Sequence, residues 1–462
     1  MKSTKKAGLE PITILGAGPA GLAVGYYARK RGIPFVIYEA KDRIGGNCTT
    51  FRYGDFYFDS GAHRLHNRNP EVTREFKQLL GEQLILIDVP SQIHYDGRNI
   101  NFPLTPLSLM RSLGFKRFCK ATAEIVCSRL AGDTATNVNF EKFALHTYGK
   151  TIASMFLLNY TKKLWGLPCN QLSASIAGKR LKGLNLRSFF LEAMLGRRSA
   201  TKHLEGAFSY PRMGIGTVVE KLAQSFNRQN IALNSKITRV FHNNSSIQAL
   251  EINKKNVIGV DEVVSTLPLD RFIHMMDPPA PKNIRLLVDK LQYRNVKLVA
   301  FFLNKECITQ TETTYFPDGE TLFTRVYEPK NRCIHMSPQG KTNLVVEIPY
   351  GAGDIYETMD DSTLVKKVQE KLVCLNWVKR DDIIDVAVHN MEYAYPVLSL
   401  DADLIVRRTI SFLEGFNNLK LSGRNAKFSY AWLHDVMKSG KEIIETRHDS
   451  QKLKHCGLEE RD

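Results

Sequence analysis

Two short apolar strands separated by a helix open the chain. Ile12–Leu15 and Phe35–Tyr38 are uninterrupted apolar runs of strand length, and the segment between them, roughly Ala20–Arg31, has the composition of a helix. Continuous apolar runs are typical of parallel strands buried on both faces. Glu39 follows the second strand directly. The pattern therefore predicts a βαβ unit that ends in an acidic residue.

Three glycines lie where the first strand meets the helix. Gly16 permits the sharp turn, Gly18 lets the backbone approach a pyrophosphate, and Gly21 lets helix and strand pack closely. Pro19 and Ala20 begin the helix, whose N-terminus presents N–H groups and the positive end of its dipole to phosphates. The acid after the second strand lies near the usual offset for binding a ribose. This unit predicts dinucleotide binding.

A second glycine pair narrows the identity of the dinucleotide. The stretch EAKDRIGGN contains Arg43, Gly45 and Gly46. Its E-A-x-x-R-x-G-G pattern resembles the flavin amine oxidase superfamily, which includes the protoporphyrinogen-oxidase-like FAD oxidoreductases and their relatives, the UDP-galactopyranose mutases. The resemblance implies FAD as the resident cofactor, with the acid on its ribose and the glycine turn, including Ala40 and Asn47, around it.

A histidine-containing loop, FDSGAHRLHN, follows a predicted hairpin. Its F-D-x-G-x-H-x-x-H pattern resembles the flavin-facing loop of the mutases and their oxidoreductase relatives. The resemblance places Gly61, Ala62 and His63 at the flavin, with His63 in a catalytic role, and makes His66 a weaker candidate for substrate contact. A buried histidine that hydrogen-bonds to a backbone carbonyl is the structural alternative.

The segment LNYTKKLWGLPCNQLSASIAGKR carries a second resemblance. Tyr160, Lys163 and Trp165 match a Y-T-x-K-x-W-G pattern of the mutases and related oxidoreductases, and Arg180 is the basic residue that follows. The resemblance implies substrate contacts for these residues. A tryptophan here can stack on a planar base or sugar face, or it can serve packing alone.

Two departures favour an oxidoreductase over a mutase. The mutases continue with R-x-P-V-R, where this chain has Arg180-Leu181-Lys182-Gly183-Leu184. The stretch SYPRMGIGTVVEKLA (Ser209–Ala223) resembles the F-P-x-G-G-x-G-x-L entry to a helix of the oxidases.

The C-terminal half adds further candidates by the same resemblance. Ile237 matches a residue whose backbone meets adenine, and Thr266 lies in the strand that leads to the loop over the flavin. Tyr395, in YAYPV, matches an element near the substrate and is a second candidate for proton handling. The closing stretch LKLSGRNAKFSYAWLHDV supplies the remaining candidates, which are Gly423, Arg424, Leu433, Asp435 and Val436 for the cofactor and Tyr430 for the substrate.

The pattern predicts the intervening elements coarsely. Residues 84–102 suggest two strands around the turn Asp96-Gly97, and 104–130 and 139–196 suggest helices. Strands are expected from Val296 to Ile348, including NRCIHMS. A closing helix is expected from about Ala431 to Arg447.

Length and charge extend the prediction. A chain of 462 residues exceeds one ordinary core. The net charge of +17 is concentrated in residues 109–130 and 176–203, where it marks either solvated helix faces or attraction of an anionic partner. That partner would be a phosphorylated or nucleotide-linked substrate or an acidic membrane surface, because no nucleic-acid-binding motif is present. Eight scattered cysteines without metal-ligand spacing predict reduced thiols and no metal. The chain contains no apolar run of about 18 residues, so no transmembrane helix is predicted.

The combined prediction is an α/β protein with a Rossmann-type, glutathione-reductase-like FAD-binding domain and an inserted α+β substrate domain. Residues 1–75, 205–290 and 400–448 would form the first domain, 76–204 and 291–399 the second, and 449–462 a flexible tail. The predicted activity is hydride transfer from a small, anionic, sugar-linked or lipid-linked substrate to flavin N5. A mutase that uses reduced FAD is the alternative. The expected location is cytoplasmic, with peripheral contact at the inner face of a membrane left open, as are the substrate, the electron acceptor and the oligomeric state.

Overall fold

The computed structural model describes residues 10–67, 69–102, 106–130, 139–177 and 207–455. The α-helices of this part of the chain are α1 (Pro19–Lys30), α2 (Pro70–Leu80), α3 (Pro106–Leu113), α4 (Phe115–Leu130), α5 (Phe140–Ile152), α6 (Asn159–Trp165), α7 (Gly216–Gln224), α8 (Leu269–His274), α9 (Lys282–Val288), α10 (Ile355–Thr358), α11 (Asp361–Cys374), α12 (Ala402–Glu414) and α13 (Leu433–His455).

The β-strands are β1 (Ile12–Leu15), β2 (Phe35–Tyr38), β3 (Thr50–Tyr53), β4 (Phe56–Asp59), β5 (Leu84–Ile87), β6 (Ser91–Tyr95), β7 (Arg98–Phe102), β8 (Phe208–Pro211), β9 (Ile231–Ala232), β10 (Ile237–His242), β11 (Ile247–Ile252), β12 (Asn256–Gly259), β13 (Glu262–Ser265), β14 (Met276–Asp277), β15 (Tyr293–Leu303), β16 (Thr313–Tyr315), β17 (Arg325–Tyr327), β18 (Thr342–Tyr350), β19 (Ile383–Pro396) and β20 (Leu419–Leu421).

A five-stranded parallel sheet, in the order β20-β13-β1-β2-β9, carries the N-terminal unit. Its central strand β1 is fully buried because α1 covers one face and neighbouring strands flank both edges. Helix α13 packs closely on α1, since a Cβ at Gly440 would lie 3.1 Å from the backbone of Ala23. The predicted βαβ unit is confirmed, and the sheet collects strands from the beginning, middle and end of the chain.

A seven-stranded sheet, in the order β19-β15-β18-β17-β16-β6-β7, forms the second large layer. Every residue of β18 is buried, because the sheet has a hydrophobic core on each side. One core packs the sheet against α11, and the other packs it against the hairpin β3–β4 through Phe58 and Phe302. This two-sided burial explains the continuous apolar run at 298–303.

Helices α3 to α6 form a cap with its own core, which includes Leu109, Ile125 and Trp165. Helix α5 breaks at Gly149, which has φ +70°. A Cβ there would lie 2.9 Å from Glu124 Cβ, so both the backbone and the space require glycine. A π-helical turn, Ala153–Leu158, then leads into α6.

The structure corrects several predicted elements. Residues 84–102 form three strands rather than two, because β5 leaves to pair with β8 in a separate ribbon. The stretch NRCIHMS contains parts of two 3₁₀ turns, Pro329–Asn331 and Ile334–Met336, instead of a strand. Helix α12 was not predicted, and α13 continues past Arg447 to His455. The proposed division into domains stays a prediction.

Candidate active site

The first glycine turn has the geometry that the sequence predicted. Gly16 has φ +99°, and a Cβ on Gly21 would lie 1.9 Å from the carbonyl oxygen of Gly16. Thr266 donates from Oγ1 to the carbonyl oxygen of Leu15 (2.6 Å) and thereby ties β13 to the turn. The turn is therefore fixed by backbone conformation and close packing, both of which depend on glycine.

The N-terminus of α1 is open to an anion. No side chain caps it at Gly18, and the first turn contains no acidic residue. Gly45 (φ +102°) and Gly46 (φ +53°) form a second turn across the first, and a Cβ on Gly46 would lie 3.2 Å from Gly18 Cα. The Gly45 amide donates to the carbonyl oxygen of Ala17 (2.9 Å). Backbone and helix dipole here suit a pyrophosphate.

Glu39, which follows β2, is hydrogen-bonded both to the glycine turn and to the segment that leads into β10. Its Oε2 accepts from the Ala17 amide (2.8 Å) and its Oε1 from the Lys41 amide (2.9 Å). The Ser235 amide donates to the Glu39 carbonyl oxygen (2.7 Å), and the buried Ile237 begins β10 just beyond. The predicted ribose and adenine residues, with Ala40 beside them, thus lie at one end of the site.

Three segments meet at the other end. Asn47 donates from Nδ2 to the carbonyl oxygens of Glu392 (2.9 Å) and Tyr393 (3.1 Å), and Asn425 donates to the latter (3.2 Å). Gly423 has φ +90°, and a Cβ there would lie 2.6 Å from Ala20 Cβ. The closing strand therefore meets the start of α1. We call Gly16, Gly18, Gly45, Gly46 and Gly423 the glycine cradle.

Two predicted cofactor residues, Arg43 and Asp435, form hydrogen bonds to other groups of the chain. Arg43 donates from Nη1 to Thr49 Oγ1 (2.6 Å), and its guanidinium lies 5.6 Å from the ring centroid of Phe51. Asp435 accepts from the Trp432 amide (2.9 Å) and so holds the N-terminus of α13. Of the neighbours of Asp435, Leu433 is partly buried and Val436 is buried.

The predicted histidine loop is anchored to the seven-stranded sheet. The Ala62 amide donates to Glu347 Oε1 (3.0 Å), and Arg325 Nε donates to the other oxygen of that carboxylate (2.6 Å). A Cβ on Gly61 would lie 3.6 Å from both Glu347 Oε1 and His63 Nε2. Burial, followed by the charges of nearby arginines, lowers the pKa of His63 to about 3. His63 is therefore neutral near pH 7.

An aromatic cluster, which we define as Trp165, Tyr395, Tyr430 and Trp432, adjoins this loop. The ring of Tyr395 lies 6.0 Å from that of Trp165 and is stacked at 6.2 Å on Tyr430, centroid to centroid. Burial raises the pKa of Tyr395 to about 12, against the opposing charge of Arg325. The cluster brings predicted residues from α6, β19 and the closing segment together.

Two arginines flank the aromatic cluster. Arg325 donates from Nη2 to Tyr395 Oη (3.1 Å). Arg424 donates to the carbonyl oxygens of Ala394 (2.8 Å) and Ala431 (2.9 Å), and its guanidinium lies 5.0 Å from the ring centroid of Tyr430. Among the hydrogen bonds and ion pairs of the described chain, Arg325 has a carboxylate partner, whereas the partners of Arg424 are carbonyl oxygens. The net charge of the described side chains beside the aromatic cluster is therefore positive.

The other predicted substrate residues differ in position. The half-buried Tyr160 packs against Tyr315 with 5.9 Å between ring centroids, and desolvation raises the pKa of Tyr160. The ring of His66 lies 6.1 Å from that of Trp432. Lys163 donates to the carbonyl oxygens of Phe316, Asp318 and Thr321 (2.7–3.0 Å). These three bonds use all donors of the ammonium group, so they do not support the predicted substrate contact. Arg180 lies outside the described residues.

Arg294, which sequence reasoning missed, holds the tryptophan-bearing helix in place. It donates to the carbonyl oxygens of Lys163 (3.4 Å) and Leu164 (3.2 Å) at the end of α6, and from Nη1 to Asp354 (2.6 Å). A Cβ on Gly166 would lie 2.5 Å from Arg294 Nη1. A cation at the C-terminus of a helix also opposes the negative end of the helix dipole.

A buried charge network behind the histidine loop was also missed. Asp59 accepts from Thr50 Oγ1 (2.7 Å), the Ile215 amide (3.0 Å) and the hydroxyl of Tyr210. Arg332 lies against Asp59 (3.6 Å) and contacts Glu312, which also binds Arg64. In the sequence, the only indication of this network was the presence of charged residues within strand-like runs. Their spacing along the chain does not reveal that their side chains meet in the fold.

Among the described residues, no group of three or more histidine, cysteine, aspartate or glutamate side chains is arranged to hold a metal ion. No helix in this part of the chain is long and apolar enough to cross a membrane.

Comparison with known proteins identifies relatives. The family model described as flavin-containing amine oxidoreductase matches residues 19–442. Protoporphyrinogen oxidase 2, chloroplastic/mitochondrial, of Arabidopsis thaliana is 23% identical over 265 residues, which cover 51% of this chain and 51% of that protein. An L-amino acid oxidase of Crotalus durissus cumanensis is 36% identical over 73 residues, 16% of this chain and 14% of the relative. The chain thus spans about half or less of these curated relatives.

Two solved structures share the fold. The crystal structure of a reduced UDP-galactopyranose mutase superposes with a TM-score of 0.84 and 18% identity, covering 95% of this chain and 94% of that one. A putative protoporphyrinogen oxidase from Exiguobacterium sp. 255-15 superposes with a TM-score of 0.76 and 17% identity, covering 96% and 100%. At such identities the likeness shows the fold alone.

Proposed function

The chain belongs to the family of flavin-containing amine oxidoreductases, and on this premise we propose that it oxidises a small anionic substrate seated against the aromatic cluster. Its cofactor is FAD, which supplies the acceptor for a hydride from a substrate carbon. The observation that carries the proposal is the adjacency of the histidine loop, the aromatic cluster and two arginines, one of them without a carboxylate partner in the described chain.

The glycine cradle fits the cofactor. The uncapped N-terminus of α1 and the backbone at Gly18 and Gly46 would hold the pyrophosphate. Glu39 would hold the ribose of the adenosine, and the backbone at Ile237 would meet the adenine. A Cβ on Gly46 would lie 3.2 Å from Gly18 Cα, so glycine lets the two turns approach each other closely. The donors available there are backbone amides, which suit a diphosphate.

The charges beside the aromatic cluster support an anionic substrate. The carboxylate of Glu347 is occupied on both oxygens, by Arg325 and by the Ala62 amide. It therefore neutralises Arg325 and has no oxygen free of a donor for base catalysis. Arg424 contributes the remaining positive charge at the faces of Tyr395 and Tyr430. A substrate carboxylate or phosphate would reduce the net positive charge beside the cluster, and a cationic substrate would increase it.

The titrating groups suggest distinct roles for the two predicted catalytic residues. His63, with a pKa of about 3, accepts or donates a hydrogen bond without carrying charge, so we assign it to orienting the flavin or the substrate. Burial raises the pKa of Tyr395 to about 12, so its hydroxyl is protonated near pH 7, and Arg325 Nη2, 3.1 Å from the hydroxyl oxygen, opposes that rise. We therefore assign proton handling to Tyr395, with Arg325 as the group that stabilises its deprotonated form.

The test is anaerobic flavin reduction. Purified protein is mixed with candidate anionic reductants, and loss of the oxidised flavin absorbance is followed. Replacing Tyr395 with Phe should slow reduction about 10²- to 10⁴-fold, the usual contribution of a positioned acid or base, while bound FAD is retained. Tyr356→Phe, at a partly buried tyrosine on α10, is the matched control and should reduce at the normal rate. Equal rates in the two variants would contradict the assignment of Tyr395.

A nucleotide-sugar mutase is the second candidate. The edge-to-face rings of Trp165 and Tyr395 beside Arg325 would also suit a planar base linked to a sugar phosphate. The discriminating experiment incubates chemically reduced protein with UDP- and dTDP-hexoses. Pyranose-to-furanose conversion without net oxidation of the flavin would replace the oxidoreductase proposal. Stoichiometric flavin reduction by substrate would exclude the mutase.

A further inference from the structure

The outer face of the cap carries an exposed apolar stripe along α4. Phe115 is 73% exposed, the highest exposure among the large hydrophobic side chains of the described residues, and Val126 is 40% exposed. Both lie on one side of the helix with the exposed Cys119 between them, since residues four and eleven positions apart share a face. The opposite side, with Ala121 and Ile125, packs into the core of the cap. Helix α4 therefore has a second apolar face that the described part of the chain leaves exposed.

Cations border this stripe at its N-terminal end. Lys116, Arg117 and Lys120 on α4 and Arg111 on α3 are all exposed. From residue 97 to residue 123 the sequence contains five cations and no acidic residue. The first turn of α4 also lacks an acid, so Lys116 and Arg117 lie at the positive end of the helix dipole, where cations are unfavourable. This arrangement opposes helix stability and would be relieved by an external negative charge.

We propose that this surface, which we call the α4 face (Arg111, Phe115, Lys116, Arg117, Lys120 and Val126), docks on an anionic lipid surface. Phe115 and Val126 would enter the boundary between headgroups and acyl chains, and the four cations would pair with anionic headgroups. A soluble anion would satisfy the cations but leave the apolar stripe in water. Charge and exposed apolar surface along one helix together specify the lipid interface.

The docking surface lies on the unit that supplies part of the candidate active site. Leu109 of α3 and Ile125 of α4 share one hydrophobic core with Trp165, a member of the aromatic cluster. Docking would thus bring the substrate side of the protein next to a membrane and give access to a lipid-linked anion. The proposal about the α4 face does not depend on the redox chemistry, because flavin reduction by a soluble substrate is measured separately.

The experiment is co-sedimentation of the FAD-loaded protein with vesicles. Vesicles of phosphatidylcholine are compared with vesicles that also contain phosphatidylglycerol. The charge-reversed variant Lys116→Glu/Arg117→Glu should lower the partition coefficient on the anionic vesicles about 30-fold, which corresponds to about 1 kcal/mol for each cation lost. Phe115→Ser should weaken binding independently. Acids in the first turn of α4 favour the helix, so loss of binding by the first variant would not reflect unfolding.

The matched control is Lys366→Glu/Lys367→Glu, an adjacent exposed pair of cations on α11. It should bind the anionic vesicles as the unmodified protein does, and high salt should release both. The proposal is overturned by equal binding to neutral and anionic vesicles, by no binding to either, or by equal losses in the control and the α4 variant. Binding of RNA or heparin through the same cations, without vesicle binding, would assign the α4 face to a soluble polyanion instead.

Discussion

Gly18→Ala should separate cofactor binding from folding. Gly18 has φ −72° and ψ 179°, values that alanine adopts without strain, and a Cβ there would meet only Gly46 Cα, at 4.0 Å. Loss of glycine at an N-cap costs about 0.5–1 kcal/mol. Reduced freedom of the unfolded chain offsets about 0.4–1 kcal/mol of that. The free energy of unfolding of the cofactor-free protein should therefore change by less than about 0.5 kcal/mol.

The effect on FAD should be large by comparison. The added methyl group would stand where the pyrophosphate approaches the backbone most closely, between the two glycine turns. Overpacking of this kind costs about 1–3 kcal/mol, which raises the dissociation constant of FAD roughly 5- to 150-fold. Titration of cofactor-free protein with FAD, followed by quenching of flavin fluorescence, measures the constant, and urea denaturation measures stability.

Two further variants calibrate this result. Gly259→Ala, on the exposed strand β12 with its nearest neighbour 4.0 Å away, should leave both FAD binding and stability unchanged. Gly21→Ala should destabilise the fold itself, because its Cβ would lie 1.9 Å from the carbonyl oxygen of Gly16. An unchanged dissociation constant for Gly18→Ala would refute the placement of the pyrophosphate at this turn.

Two other variants test the surroundings of the site. Arg294→Lys should lower the free energy of unfolding by about 2–4 kcal/mol, because one ammonium group cannot replace the contacts of a 7% exposed guanidinium with Leu164, Lys163 and Asp354. Urea denaturation measures this free energy. A loss within the ~0.5 kcal/mol typical of neutral surface substitutions would contradict the structural role of Arg294. His63→Asn should make the protein less sensitive to acid. The folded-state pKa of His63, about 3, lies below the unfolded value of about 6.5, so its stabilising contribution is complete above that value and is lost as the pH falls toward 3. Between pH 7 and pH 4 the free energy of unfolding of the unmodified protein should fall by up to about 3 kcal/mol more than that of the variant. Parallel curves of unfolding free energy against pH would contradict this prediction.

Much of the cofactor site could be predicted because its requirements are local. Gly16, Gly45 and Gly423 need positive φ values, which is why glycine occupies these positions. The acid Glu39 lies next to the turn because β2 is the immediate neighbour of β1 in the sheet. Spacing along the chain and distance in space are nearly equivalent within one βαβ unit.

The surroundings of the aromatic cluster, where we propose that the substrate binds, could be predicted only in part. Tyr395 and Trp165 were found through the family pattern, but their relation to Arg325 and Arg294 was not. Arg294 is the ladder partner of Tyr395 in the pairing of β15 with β19, although the two residues are far apart in sequence. Strand register decides such neighbours, and register is set by packing across the whole sheet.

The sequence by itself therefore determined the strand–turn–helix unit, because steric limits on φ, ψ and Cβ act within a few residues, and its resemblance to a known family implied the cofactor. Only the tertiary structure decided what surrounds the aromatic cluster. Long-range pairing brought Arg325 and Glu347 beside the histidine loop, and burial then lowered the pKa of His63. The glycine spacing thus predicts that a dinucleotide binds, and the family resemblance of the second glycine turn implies that it is FAD, while the assembled sheet and cap determine which groups lie beside it.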